Sequence, residues 1–104
     1  MRRLVVALCL AMMPLSAWAA TSFVNQANKA FDTETVTIKT GDSIVFTNQD
    51  DVTHNIQITN DKGDISDRGL QKPGQNITAT FDTPGEYRVR CAIHSKMKAT
   101  VIVQ

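Results

Sequence analysis

The chain has 104 residues, a formal net charge of +1 and 42% hydrophobic residues. That length allows one small domain, and the near-balanced charge excludes the polybasic character of a chain that binds nucleic acid or anionic membranes through bulk electrostatics. With only two cysteines, Cys9 and Cys91, a multi-disulfide framework is excluded as well.

The chain opens with an address rather than with structure. Met1-Arg2-Arg3 is a basic start, Leu4 to Leu15 is a mostly apolar run, and Ala17-Trp18-Ala19 supplies the small-x-small pattern of a signal peptidase site. Residues 1–19 therefore read as a signal peptide of the general secretory route, cut after Ala19, which delivers residues 20–104 to the periplasm. A membrane anchor is the alternative, but the apolar run is shorter than the roughly 20 residues needed to span a bilayer and is interrupted by Pro14. Without residues 1–19, 9 lysines and arginines face 10 aspartates and glutamates, so the exported part is close to −1. Cys9 leaves with the signal, and Cys91 remains as a lone thiol in an oxidising compartment. Such a thiol needs burial, a metal or a chemical task to survive.

Residues 20–104 show no helical periodicity. They show short runs of β-branched residues with period-two alternation, separated by turn residues, which predicts an all-β Greek-key β-sandwich of about seven strands. In chain order the strands are Ser22 to Gln26, Thr35 to Lys39, Ser43 to Asn48, His54 to Thr59, Asn76 to Phe81, Glu86 to Arg90 and Ala99 to Val103. Thr40-Gly41-Asp42 and Asp82-Thr83-Pro84-Gly85 are turn signals. Asn60 to Gln75, polar and with three glycines and one proline, reads as a loop with a short irregular element near Ile65 to Leu70.

Chemistry concentrates in Cys91-Ala92-Ile93-His94-Ser95-Lys96-Met97, where a thiolate, an imidazole and a thioether recur at every third residue between two strands. Thiolate and thioether favour Cu(I), imidazole suits both copper states, and two His, one Cys and a weak Met form the donor set of blue-copper centres. The second histidine must be His54. Scarcity carries the argument: residues 20–104 contain one Cys, one Met and two His, and all four fit a single site. Taken singly, His54 would be a surface histidine and Met97 a core filler.

The stretch from Gly85-Glu86-Tyr87 through Cys91-x-x-His94-x-x-Met97 to the closing strand resembles the C-terminal half of the cupredoxins, the small blue copper proteins. Ile44 to Asn48, Asp50-Asp51 and His54-Asn55 are similar to their upstream ligand region. The short spacing, two residues between Cys91 and His94 and two between His94 and Met97, is closest to that of the amicyanins, whereas plastocyanins and pseudoazurins carry a longer gap before Met. The resemblance implies one type 1 copper ion, with His54, Cys91 and His94 roughly in a plane and Met97 at a longer axial distance. It also implies that Asn55 ties the two ligand segments together, and that the edge of His94 is the electron's exit, beside Ala92 and Ile93. Where many relatives carry proline before each ligand histidine, this chain has Thr53 and Ile93.

The expected function is a periplasmic carrier of single electrons, not an enzyme. Its partners would be redox proteins such as a periplasmic dehydrogenase or a c-type cytochrome, met by a monomer in brief, small contacts. A copper storage or delivery protein is the alternative on the same residues. A thiol enzyme with Cys91 as nucleophile and His94 as base would leave His54 and Met97 unexplained and lacks a third orienting group.

Overall fold

The computed structural model describes residues 18–104. Most of the expected signal peptide, with Cys9, lies outside the described residues. Among the described residues, no helix is long and apolar enough to cross a membrane.

Nine strands follow one another: β1 (Thr21–Ala27), β2 (Ala30–Phe31), β3 (Thr35–Ile38), β4 (Ser43–Asn48), β5 (His54–Thr59), β6 (Ile65–Gln71), β7 (Asn76–Thr80), β8 (Gly85–Arg90) and β9 (Lys98–Val103). They form a four-stranded sheet in the order β2-β1-β4-β7 and a five-stranded sheet in the order β3-β9-β8-β5-β6. Alternation explains why they pack as a sandwich. In β4 and β9 every second residue is buried, so each strand sends one face to a shared core and the other outward. Val24, Ile44, Phe46, Ala79 and Phe81 from one side meet Ile38, Ile56, Ile58, Val89, Val101 and Val103 from the other.

All seven expected strands are present, and two more join them. The first is β2, which folds back on β1 with Gln26 opposite Phe31 and Ala27 opposite Ala30. Its two-residue link, Asn28-Lys29, has φ of 54° and 56°, the left-handed pair that a tight hairpin with matching twist requires. The second is β6, and it corrects the expectation of a loop from Asn60 to Gln75. Its first six residues are exposed, so they carry no apolar alternation to read. The strand exists because it pairs with β5, across a register shift between Asn55 and Gln57, and because its last residue is anchored. Gln71 is fully buried. It accepts from Gln26 Nε2 at 2.6 Å and donates to the carbonyls of Phe46 and Gln75, which fastens the edge of one sheet to the other.

The Thr40–Asp42 turn does not close a hairpin, because β3 pairs with β9 while β4 pairs with β1 and β7. It passes the chain from one sheet to the other. Gly41 supplies its φ of +93°, and the buried Asp42 carboxylate accepts N–H groups from Ala20 at 2.9 Å and Lys39 at 3.0 Å. Those two bonds, Ala20 first, hold the Asp42 carboxyl below its ordinary value of 3.8.

A carboxyl whose folded pKa is depressed contributes stability that is complete at neutral pH and is lost as pH falls below about 4 towards the folded value. Asp42→Asn is therefore expected to be less stable than the wild type at pH 7 and to lose less between about pH 5 and pH 2. Urea unfolding of the copper-free protein across that range measures both; parallel curves would contradict the role given to Asp42.

Candidate metal centre

The pairing of Gln57 with Arg90 makes β5 and β8 neighbours, so the start of β5 and the exit of β8 lie at the same end of the sandwich. His54 is the first residue of β5, and Cys91 follows the last residue of β8. The chain then turns through His94 and enters β9 just after Met97. Two short-range bonds shape this loop: Met97 N–H to the His94 carbonyl at 2.9 Å and Cys91 N–H to the Met97 carbonyl at 3.3 Å. All four expected residues are thus brought to one end. His54, Cys91 and Met97 are buried, and His94 is partly exposed.

Three donor atoms converge. His54 Nδ1 and His94 Nδ1 are 3.1 Å apart, and Cys91 Sγ lies 3.9 Å from the first and 3.7 Å from the second. A point equidistant from these atoms falls about 2.1 Å from each, the length of a metal–nitrogen bond and a little short of a metal–sulfur bond. The cluster therefore fits an ion of transition-metal size, and its N, N, S donors suit copper; Met97, buried, closes the same loop through its backbone bonds to Cys91 and His94.

The polar groups around the donors set their orientation. His54 Nε2 is 3.0 Å from Asp50 Oδ2. A carboxylate only accepts, so the proton of the neutral ring sits on Nε2 and the lone pair of Nδ1 faces the other two donors. Asp50 is itself fixed. Its Oδ2 accepts the Lys29 N–H at 2.7 Å, and its own N–H donates to Asn48 Oδ1 at 2.9 Å. The Lys29 bond first, and the His54 bond second, hold the Asp50 carboxyl below the usual carboxylate range. Asn55 binds the two ligand-bearing segments together: its N–H donates to Cys91 Sγ at 3.3 Å, and its Oδ1 accepts from Ala92 N–H at 3.0 Å. The Asn55 amide nitrogen is spent on Asp67 Oδ1 and the Gly69 carbonyl, so the side chain has one orientation.

Lys29 and Asp67 were not legible as parts of this site, and Asp50, though in the stretch that resembles an upstream ligand region, carried no sign of its bond to His54. Asp50 sits in Gln49-Asp50-Asp51, whose composition signals only a break, and the Lys29 contact is made by a backbone N–H that any residue in that turn would offer.

A family profile described as copper binding proteins, plastocyanin/azurin family, matches residues 19–104. Chloroplastic plastocyanin of Tetradesmus obliquus is 40% identical over 84 residues, covering 71% of this chain and 58% of that protein, so the chain spans little more than half the length of that relative. Amicyanin-alpha of Methylorubrum extorquens is 30% identical over 88 residues, covering 83% of this chain and 74% of the relative. Among solved structures, amicyanin from Paracoccus versutus superposes with a TM-score of 0.74 at 25% identity, over 90% of this chain and 87% of that one.

If Asp50 fixes the His54 tautomer, its loss weakens metal binding without disturbing the fold. Asp50→Asn is expected to lower copper affinity about 10- to 100-fold, read by competition with a chelator of known affinity. An unchanged affinity would show that the carboxylate does not orient the ring.

Proposed function

The chain belongs to the plastocyanin/azurin family of copper-binding proteins, and from that premise we propose that residues 20–104 work in the periplasm as a monomeric carrier of single electrons on one type 1 copper ion. His54, Cys91, His94 and Met97 are its ligands in this reading. The observation that carries it is the convergence of His54 Nδ1, His94 Nδ1 and Cys91 Sγ within 3.9 Å of one another at one end of a rigid sandwich. The bound ion supplies a one-electron Cu(II)/Cu(I) couple.

The residues of the chain do the rest. His54 comes from one strand start and the other three ligands from a single loop, and Asn55 keeps the two segments in register. Such a frame resists the geometric change that copper prefers on changing oxidation state, which keeps reorganisation small. The Asn55 N–H donates to Cys91 Sγ at 3.3 Å and holds the sulfur in place. His54 and Cys91 are sealed from solvent, whereas His94 lines a shallow hollow with Lys29, Ile93, Ser95 and Lys96. An electron therefore has its shortest way out through His94. Redox proteins such as a periplasmic dehydrogenase or a c-type cytochrome would meet the protein at this end of the sandwich. A thiol enzyme finds no support, because Cys91 is fully buried and its sulfur already accepts a hydrogen bond.

Export is part of the reading, and the Asp42 site supports the cut after Ala19. Cleavage would turn the Ala20 N–H, 2.9 Å from Asp42 Oδ1, into an ammonium beside a buried carboxylate, a charge-assisted bond in place of a neutral one. The processed form would then be held at its new N-terminus.

Two measurements test these statements. Protein loaded with Cu(II) is expected to show an intense visible thiolate-to-copper band and a reversible couple that survives repeated cycling without loss of metal. Colourless Cu(I) that passes to a chelator on contact would mark a delivery protein instead. Residues 20–104 with a free N-terminus are expected to be more stable at pH 7 than the N-acetylated form, and the difference should vanish with Asp42→Asn. Equal stability of the two forms in the wild-type sequence would overturn the Ala20–Asp42 pair.

A further inference from the structure

The metal-bearing loop is bracketed by two cations. Arg90 immediately precedes Cys91, Lys98 immediately follows Met97, and the two stand directly opposite each other where β8 pairs with β9. Val89 and Ala99 beside them point into the core, so Arg90 and Lys98 project from the outer face of the five-stranded sheet. Arg88 points the same way, one step further from the loop, opposite Thr100. All three are exposed. Like charges directly opposite across an antiparallel pair destabilise a sheet, and none of the three is in contact with a carboxylate; Glu34, whose carbonyl accepts the Thr100 N–H, borders this end of β9. Among the described residues no Arg or Lys side chain lies within ion-pairing distance of a carboxylate; the one contact at that distance is the hydrogen bond from His54 to Asp50. Across the sheet the next residue beside Arg90 is Gln57, and beyond it Asp67. The Asp67 carboxylate already accepts from Asn55, Gln57 and the Gly69 N–H. Glu86 lies on the same face but at the end of β8 remote from the loop. The exported chain is near neutral overall, so this cluster is a local concentration of positive charge at the metal end.

We propose that the outer face of the five-stranded sheet at its loop end, with Arg88, Arg90 and Lys98 as contacts, is the docking surface for an acidic redox protein. The proposal rests on the carrier reading above and adds the charge of the partner and the face it uses. Charge complementarity is the argument: three solvated cations without carboxylate partners steer an anionic surface towards the loop and hold it there briefly, giving fast association and a steep response to salt. Lys29 and Lys96, which line the hollow beside His94, add charge of the same sign at this end.

One haem protein in two charge states supplies the probe. Native cytochrome c is basic, and succinylation of its lysines makes it acidic while keeping the haem. Electron transfer from the reduced, copper-loaded protein to succinylated cytochrome c, followed by stopped flow, is expected to slow steeply as salt rises, whereas native cytochrome c should show no such slowing. The triple variant R88Q/R90Q/K98Q, with its potential and visible spectrum unchanged, is expected to lose about tenfold in rate at low salt and most of the salt dependence. K62Q, in a turn outside the cluster, should leave both intact. Amide shifts on adding succinylated cytochrome c should map to residues 88–90 and 98–100. An unaltered salt response in the triple variant, or shifts confined to another face, would overturn the docking surface while leaving the carrier standing. Absence of a reversible copper couple in the wild type would instead remove the carrier reading, and the shift map would still report whether this face binds.

Discussion

Asn55 holds together two segments that the chain separates by more than thirty residues, and the relative placement of the donors at the metal end depends on that tie. Its backbone N–H reaches Cys91 Sγ and its side-chain oxygen takes the Ala92 N–H, so one residue fixes both the sulfur and the backbone just after it. Because Asn55 is also the neighbour of His54, the same tie sets the distance between the two halves of the donor cluster. Its amide nitrogen is fastened in turn to β6 through Asp67 and Gly69. The edge strand is therefore part of the support of the site, although none of its side chains is hydrogen-bonded to His54 Nδ1, His94 Nδ1 or Cys91 Sγ.

A second line of support runs through the other sheet. The left-handed Asn28-Lys29 turn presents the Lys29 N–H to Asp50, Asp50 holds the outer nitrogen of His54, and His54 is left with its inner lone pair free for metal. Each sheet thus orients one side of the cluster: the five-stranded sheet acts through Asn55, and the four-stranded sheet through the β1–β2 hairpin. Gln26 and Gln71 link the two supports across the sandwich. A donor set held from both sides has little freedom to relax, which is the property that an electron carrier needs and a metal-release protein does not.

What could be read from the sequence follows from the kind of signal each part leaves. The seven strands that bury alternate residues left a period of two, and all were found. β6 left none, because six of its seven residues face solvent and its order comes from pairing and from Gln71. β2 left none either, because two residues carry no periodicity and its turn contains no glycine. Rarity singled out His54, Cys91, His94 and Met97 in the sequence, and the structure brings the first three within 3.9 Å of one another. The role of Asp50 was not legible, because aspartate is ordinary in a turn, and its bond to His54 depends on a loop whose path the sequence does not state. Arg90 and Lys98 were visible as charges, but their opposition appears only once β8 and β9 are in register.

The central claim is that sulfur from Cys91 and nitrogen from His54 and His94 meet on one copper ion. X-ray absorption at the copper edge of the Cu(II)-loaded protein tests it most directly. The account predicts two nitrogens and one sulfur at about 2.0–2.3 Å, with the sulfur lost in Cys91→Ser and one nitrogen lost in His54→Ala. A coordination shell of nitrogen and oxygen alone, unchanged by replacing Cys91, would contradict it.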